Sequence, residues 1–152
     1  MNFKSQHNIY FRAIVTWLLF IPIVFINAAL RELVYKPFTG ELLAHQVSTI
    51  TGSVAFFLLA YFLLRHYMYN TSNDKLLLIG LMWVALTIVF EFGLGKFVTG
   101  ASWSEMLYDY NIGQGRIWIF FLVIILITPF IIKHLSLQNQ RTTTIVDELR
   151  HE

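Results

Sequence analysis

The sequence predicts an all-α membrane protein with four transmembrane helices. They form two tandem two-helix units related by a parallel pseudo-two-fold axis, with the polar loops on the outer side. Three observations predict this. Of 152 residues, 57% are hydrophobic and only 13% are charged, which is more apolar than a soluble domain of this size needs. Apolar runs close to the roughly 20 residues that cross a bilayer core recur along the chain. Finally, ELLAHQVSTITGSVAFFLL from Glu41 aligns without a gap with EMLYDYNIGQGRIWIFFLV from Glu105.

The first span is residues 13–30, AIVTWLLFIPIVFINAAL. With Lys4 and Arg12 before it and Asn27-Ala28-Ala29 near its end, it has some marks of a signal peptide. It is longer than a usual signal core, however, and the repeat gives it a partner, so it is read as a retained helix. Lys36-Pro37-Phe38-Thr39-Gly40 reads as a helix stop and turn. After it, ELLAHQ begins a short helix that runs into the second span, 47–64. The third span is 76–95, interrupted only by Glu91. Gly93, Gly95 and Gly100 loosen the chain that follows, and Ser102-Trp103-Ser104-Glu105 has capping-box spacing. The fourth span is 113–132, its apolar run from Ile117 being completed from Asn111–Gly115. The runs are apolar on every face, whereas strands of a membrane barrel would alternate.

The transmembrane domain is thus 1–135, with repeat units 13–64 and 76–132, followed by a polar cytoplasmic tail, 136–152. The two polar connections are short helices, re-entrant elements or ordinary surface loops. Lys4, Arg12, Arg65, Lys75, Lys133 and Arg141 outnumber Arg31, Lys36, Lys96 and Arg116. The positive-inside rule therefore puts both termini in the cytoplasm. Trp103 and Trp118 suit an outer interfacial belt, and Tyr67 and Tyr69 an inner one.

Ionisable residues that the cytoplasmic surface does not explain gather in the outer half. Glu91 stands inside a span, where a carboxylate costs up to about 3 kcal/mol at mid-membrane and less near the interface. It reads as a proton or cation site, a counter-charge for a ligand, or an interfacial acid. Arg116, read as lying in the first turn of the fourth helix where the macrodipole disfavours a cation, is its expected partner. Arg31 and Glu32 make a second pair. In the repeat register Asn27 pairs with Glu91, His45 with Asp109 and Gln46 with Tyr110. The expected ligand-binding set is therefore Glu91, Arg116, Arg31, Glu32, His45, Asp109, Asn27, Gln46 and Tyr110.

His45 with Asp109 is the pair best suited to general acid or base work, but no nucleophile elbow or metal-binding His spacing accompanies it. His66 and His134 each follow a basic residue at a span end, which suits an inner-face belt better than haem ligation. No cofactor or metal is expected, and nothing suggests nucleic-acid recognition. The absence of cysteine excludes disulfides and thiolate chemistry. Ser48, Thr49, Thr51, Gly52 and Ser53 mark a helix face for close packing or a hydrated lining. Pro22 and Pro129 can kink their helices.

The stretches RELVYKPFTGELLAHQ and SWSEMLYDYNIGQGR resemble corresponding series in small bacterial four-helix membrane proteins of no known activity. The resemblance covers most of the chain up to the tail. It implies a bacterial inner-membrane location and brings no mechanism.

The first expectation is therefore a polar pocket in the outer membrane half that binds or passes a small polar solute or ion, passage requiring a homo-oligomer. A second is a subunit or assembly factor bound to a partner membrane protein. A third is a lipid-headgroup enzyme using His45 and Asp109, with Arg116 or Arg31 on the phosphate.

Overall fold

The computed structural model describes the backbone of residues 3–150 and the side chains of residues 9–140. Among the described residues there is no strand. The chain runs α1 (Phe3–Leu30), one π-helical stretch (Arg31–Tyr35), α2 (Lys36–Met68), α3 (Asn73–Phe97), the short α4 (Trp103–Tyr108), a 3-10 turn (Ile112–Gln114) and α5 (Trp118–Arg150).

Three helical runs are long and apolar enough to cross a membrane: Ile9–Met68, Asn73–Phe97 and Trp118–Gln140. The first spans 60 residues, but it is not straight. Gly40 sits at φ 78°, ψ 172°, backbone that only glycine adopts at little cost. Beyond it the chain doubles back. Asn27 Nδ2 donates to the Ser48 carbonyl at 2.7 Å, whereas 21 residues of continuous helix would separate them by about 32 Å. The helix stop expected between Lys36 and Gly40 thus falls on Gly40 itself. Pro37 instead opens α2, where its missing N–H costs nothing.

The helical segments pack as a ring, with α1 against α2, α2 against α5, α5 against α3, and α3 touching α1. Two tryptophans tie α1 to α3. Trp17 Nε1 donates to Thr87 Oγ1 at 3.0 Å, and Trp83 Nε1 to the Ala13 carbonyl at 2.9 Å. Since 13 meets 83 and 17 meets 87, these two helices run parallel.

Towards the end that carries the chain termini the interior is solid. Ala13, Ala60, Leu76, Ile79, Trp83 and Ile125 are wholly buried, and Phe56 meets Phe20 and Trp83 edge-on at 5.0 Å. Gly80 allows a close contact between α3 and α5, because a Cβ there would strike the Leu126 carbonyl. The outward faces remain apolar, with Phe25, Ile26, Val89 and Phe120 all exposed, a surface suited to hydrocarbon rather than water.

The other end is built from the polar connections. Ser102 and Glu105 close the capping box of α4 as its spacing predicts. Gly93 and Gly95 do not loosen the chain, because α3 continues through both to Phe97; Gly95 instead lets Met106 approach. The last long helix starts later than the expected residue 113. Gly115 is left-handed at φ 78° after the 3-10 turn, so α5 begins at Trp118 and Arg116 lies in the connection before it. Its length comes from the other end, since α5 continues through the expected tail to Arg150.

Candidate functional site

A cavity of about 260 Å³ lies between the long helices at the α4 end. α1 contributes Trp17, Phe20 and Asn27, the π-helical stretch Arg31, and α2 His45, Ser48 and Thr49. Thr87, Phe90 and Glu91 come from α3, Trp118 and Phe121 from α5, and Asp109 from the connection after α4. The hydrogen-bonded pair Trp17 and Thr87 forms its floor, one helical turn above the buried Trp83.

The walls are aromatic and most of the polar groups are already engaged. Asn27 bonds the Ser48 carbonyl with its amide nitrogen and accepts from Thr51 Oγ1 at 2.8 Å. Ser48 and Thr49 both donate to the His45 carbonyl, the local bonding that lets a hydroxyl sit inside a helix. Gly52 brings α1 and α2 together here, since a Cβ would lie 3.1 Å from Asn27 Nδ2.

Above the cavity is a charged layer enclosing a smaller space of about 80 Å³. Its ion pairs form one chain. Arg31 Nε meets Glu32 at 3.2 Å, Glu32 meets Lys36 Nζ at 3.1 Å, and Lys36 approaches Glu41 at 3.9 Å. Arg116 then joins Glu41 at 3.0 Å to Asp109 at 3.2 Å, and its guanidinium lies 4.6 Å from the Tyr108 ring centroid. The chain ends at His45, whose Nδ1 is 3.7 Å from Asp109. Three cations face three carboxylates, so this layer is neutral in itself. Arg31, His45 and Asp109 line both spaces and form the wall between them.

Glu91 stands outside this chain, which corrects the expected Glu91 to Arg116 bridge. Its Oε2 accepts from Tyr110 Oη at 2.6 Å and from Trp118 Nε1 at 2.8 Å, and among the described residues it has no cationic partner. Arg116 turns to Glu41 and Asp109 because it precedes α5, which aims it at the start of α2. Burial first, and then the bond to Glu91, push the Tyr110 phenol well above its usual range, so it remains a donor.

Of the expected set, the cavity therefore gathers Asn27, Arg31, His45, Glu91 and Asp109, with Tyr110 joined through Glu91. Glu32 and Arg116 belong to the charged layer. Gln46 does not meet Tyr110; its Nε2 donates to the Gly115 carbonyl at 2.9 Å and pins the connection to α2. Sequence reasoning missed the aromatic walls, Thr87 and Glu41. Thr87 had a signal, because it stands four residues before Glu91 and shares its helix face.

Two polar atoms in this region are buried without a partner, His45 Nε2 and Arg116 Nε. His45 is only 3% exposed. A buried imidazole nitrogen left unpaired is costly unless something else fills the site. Compared with protein-family models, with curated proteins and with solved structures, the chain matches none of them.

Proposed function

We propose that this chain is an integral protein of a bacterial plasma membrane that crosses it four times with both termini cytoplasmic, and that its outer-half cavity binds a small polar solute or ion. Four crossings follow if the run Ile9–Met68, which doubles back at Gly40, traverses twice. The two hairpins, α1 with α2 and α3 with α5, then correspond to the duplication expected from the aligned segments.

The supporting observation is a cavity of about 260 Å³ that all four long helices line, with His45, whose Nε2 is buried without a partner, in its wall. Its aromatic walls with a few convergent polar groups are the composition of small-molecule sites, at the low end of their usual volumes of roughly 300 Å³ and upward. The packed layer from Ala13 to Trp83 beneath it favours binding over passage by a single copy. The enzyme reading has less support, because Arg31 and Arg116, which would hold a phosphate, are both engaged by carboxylates.

A thermal-shift screen of chemically varied small solutes on the purified protein, repeated on Ala28→Phe, tests the reading. Ala28 lines the cavity, so the larger side chain fills it. At least one solute should raise the Tm of the wild type and leave the variant unmoved. If no solute distinguishes the two proteins, the cavity is not a binding site.

A further inference from the structure

Every charge around the cavity is compensated except one. The chain from Arg31 to Asp109 neutralises itself, and its two guanidiniums are each held by a carboxylate. Glu91 lies below it with no cation in ion-pair reach among the described residues. Both of its hydrogen bonds come from neutral donors and both fall on Oε2. Among the described residues Oε1 receives none, and it belongs to a side chain that lines the cavity.

The other unused group is also an acceptor. With its proton on Nδ1, the nitrogen that faces Asp109, His45 carries a lone pair on Nε2, buried in the cavity wall without a partner. Glu91 therefore gives the cavity a carboxylate oxygen that suits a donor carrying positive charge. Around them stand the rings of Trp17, Phe20, Phe90, Trp118 and Phe121, whose faces attract a cation with an apolar body.

Building on the binding reading above, we infer that the solute is a small organic cation, an ammonium with an alkyl or aryl body, its charge on Glu91 and its body among the aromatic rings. An anion would meet Glu91 and would have to compete with Glu32 for the Arg31 guanidinium. A neutral hydrocarbon would leave Oε1 unpaired, the mismatch by which polar sites reject apolar analogues. A bare metal ion needs several clustered ligands, and among the described residues no group of three or more His, Asp or Glu side chains is placed to hold one.

The test uses the purified full chain and three probes of similar shape: phenethylammonium, phenethyl alcohol and phenylacetate. Binding is read from the fluorescence of the tryptophans, two of which line the cavity, and by calorimetry. Phenethylammonium should bind saturably and about 10- to 100-fold more tightly than the alcohol, the factor that a charged hydrogen bond is worth. Phenylacetate should not bind. Glu91→Gln should remove most of the preference for the cation, and Ala28→Phe should abolish binding of every probe. If the alcohol or the anion binds as tightly as the cation to the wild type, the cation assignment is overturned while the binding reading stands. If neither these probes nor the wider solute screen separates the wild type from Ala28→Phe, both fall. The comparison of probes on the wild type does not depend on whether Glu91→Gln folds.

Discussion

Trp118 donates its indole N–H to Glu91 across 27 residues of sequence at 2.8 Å, and Tyr110 donates to the same carboxylate oxygen. An acid inside an apolar helix is thereby held by two neutral donors rather than by a cation. Removing the acceptor should cost more than removing the charge. Glu91→Gln keeps a carbonyl for both bonds, so its Tm in detergent should stay close to that of the wild type. Glu91→Leu strands two donors, an effect of about 2 kcal/mol in this half-buried setting, and should lower the Tm by roughly 4–8 °C. Equal losses for the two variants would mean that Glu91 has an ionic partner after all.

Arg116 is held by two carboxylates of unequal exposure, Asp109 at 36% and Glu41 at 65%. Solvent screens the more exposed pair more strongly. Asp109→Asn should therefore destabilise by about 2 kcal/mol and Glu41→Gln by under about 1 kcal/mol. Denaturant melts of both single variants and of each combined with Arg116→Leu would measure the two couplings. The expectation fails if Glu41 proves the stronger partner.

Two glycines of α3 should respond oppositely to a methyl group. At Gly80 a Cβ would strike the Leu126 backbone, which cannot yield as a flexible side chain can. Gly80→Ala should cost at least about 1–3 kcal/mol. At Gly93 a Cβ meets nothing within 4 Å, so Gly93→Ala should be neutral or stabilise by up to about 1 kcal/mol through helix propensity. Thermal melts of the pair test whether α3 and α5 are in backbone contact.

The α4 capping box should be pH-dependent. Glu105 Oε2 accepts from the Ser102 amide at 2.7 Å and from its hydroxyl at 2.8 Å, which holds the carboxyl below its ordinary value of 4.5. A lowered folded-state value means that the cap's contribution is complete above that ordinary value and is lost as pH falls through the lowered one. Amide protection factors within Trp103–Tyr108, taken relative to the intrinsic rate at each pH, should fall on acidification from pH 5 to 3, and those of Glu105→Ala should be low throughout. Protection factors that ignore pH in the wild type would show that the carboxylate does not hold the helix end.

Because the chain has no cysteine, single-cysteine variants report topology cleanly. With four crossings, Phe38→Cys and Thr99→Cys should react with an impermeant thiol reagent from the periplasmic side of intact cells. Asn70→Cys should react only after the membrane is opened. Labelling of Phe38 and Asn70 from the same side would remove the double traverse of the first helical run.

The sequence by itself determined what depends on local order: the apolar runs, the glycine turn at Gly40, the capping box at Ser102 and the gathering of charges in the connections. His45 does lie 3.7 Å from Asp109, but Gln46 and Tyr110, the next pair of the same alignment, take other partners. The partners of Glu91 were decided only by the tertiary structure. The left-handed Gly115 delays α5 to Trp118, which swings Arg116 towards Glu41 and brings the Trp118 indole over the carboxylate. Charge alone favoured the nearest cation on paper. Several cations and acids of comparable strength can pair in many ways, and only the relative rotation of packed helices chooses among them. For the same reason the aromatic walls were invisible, since Trp17, Phe90 and Phe121 lie in runs apolar on every face, and only packing decides which side turns inward.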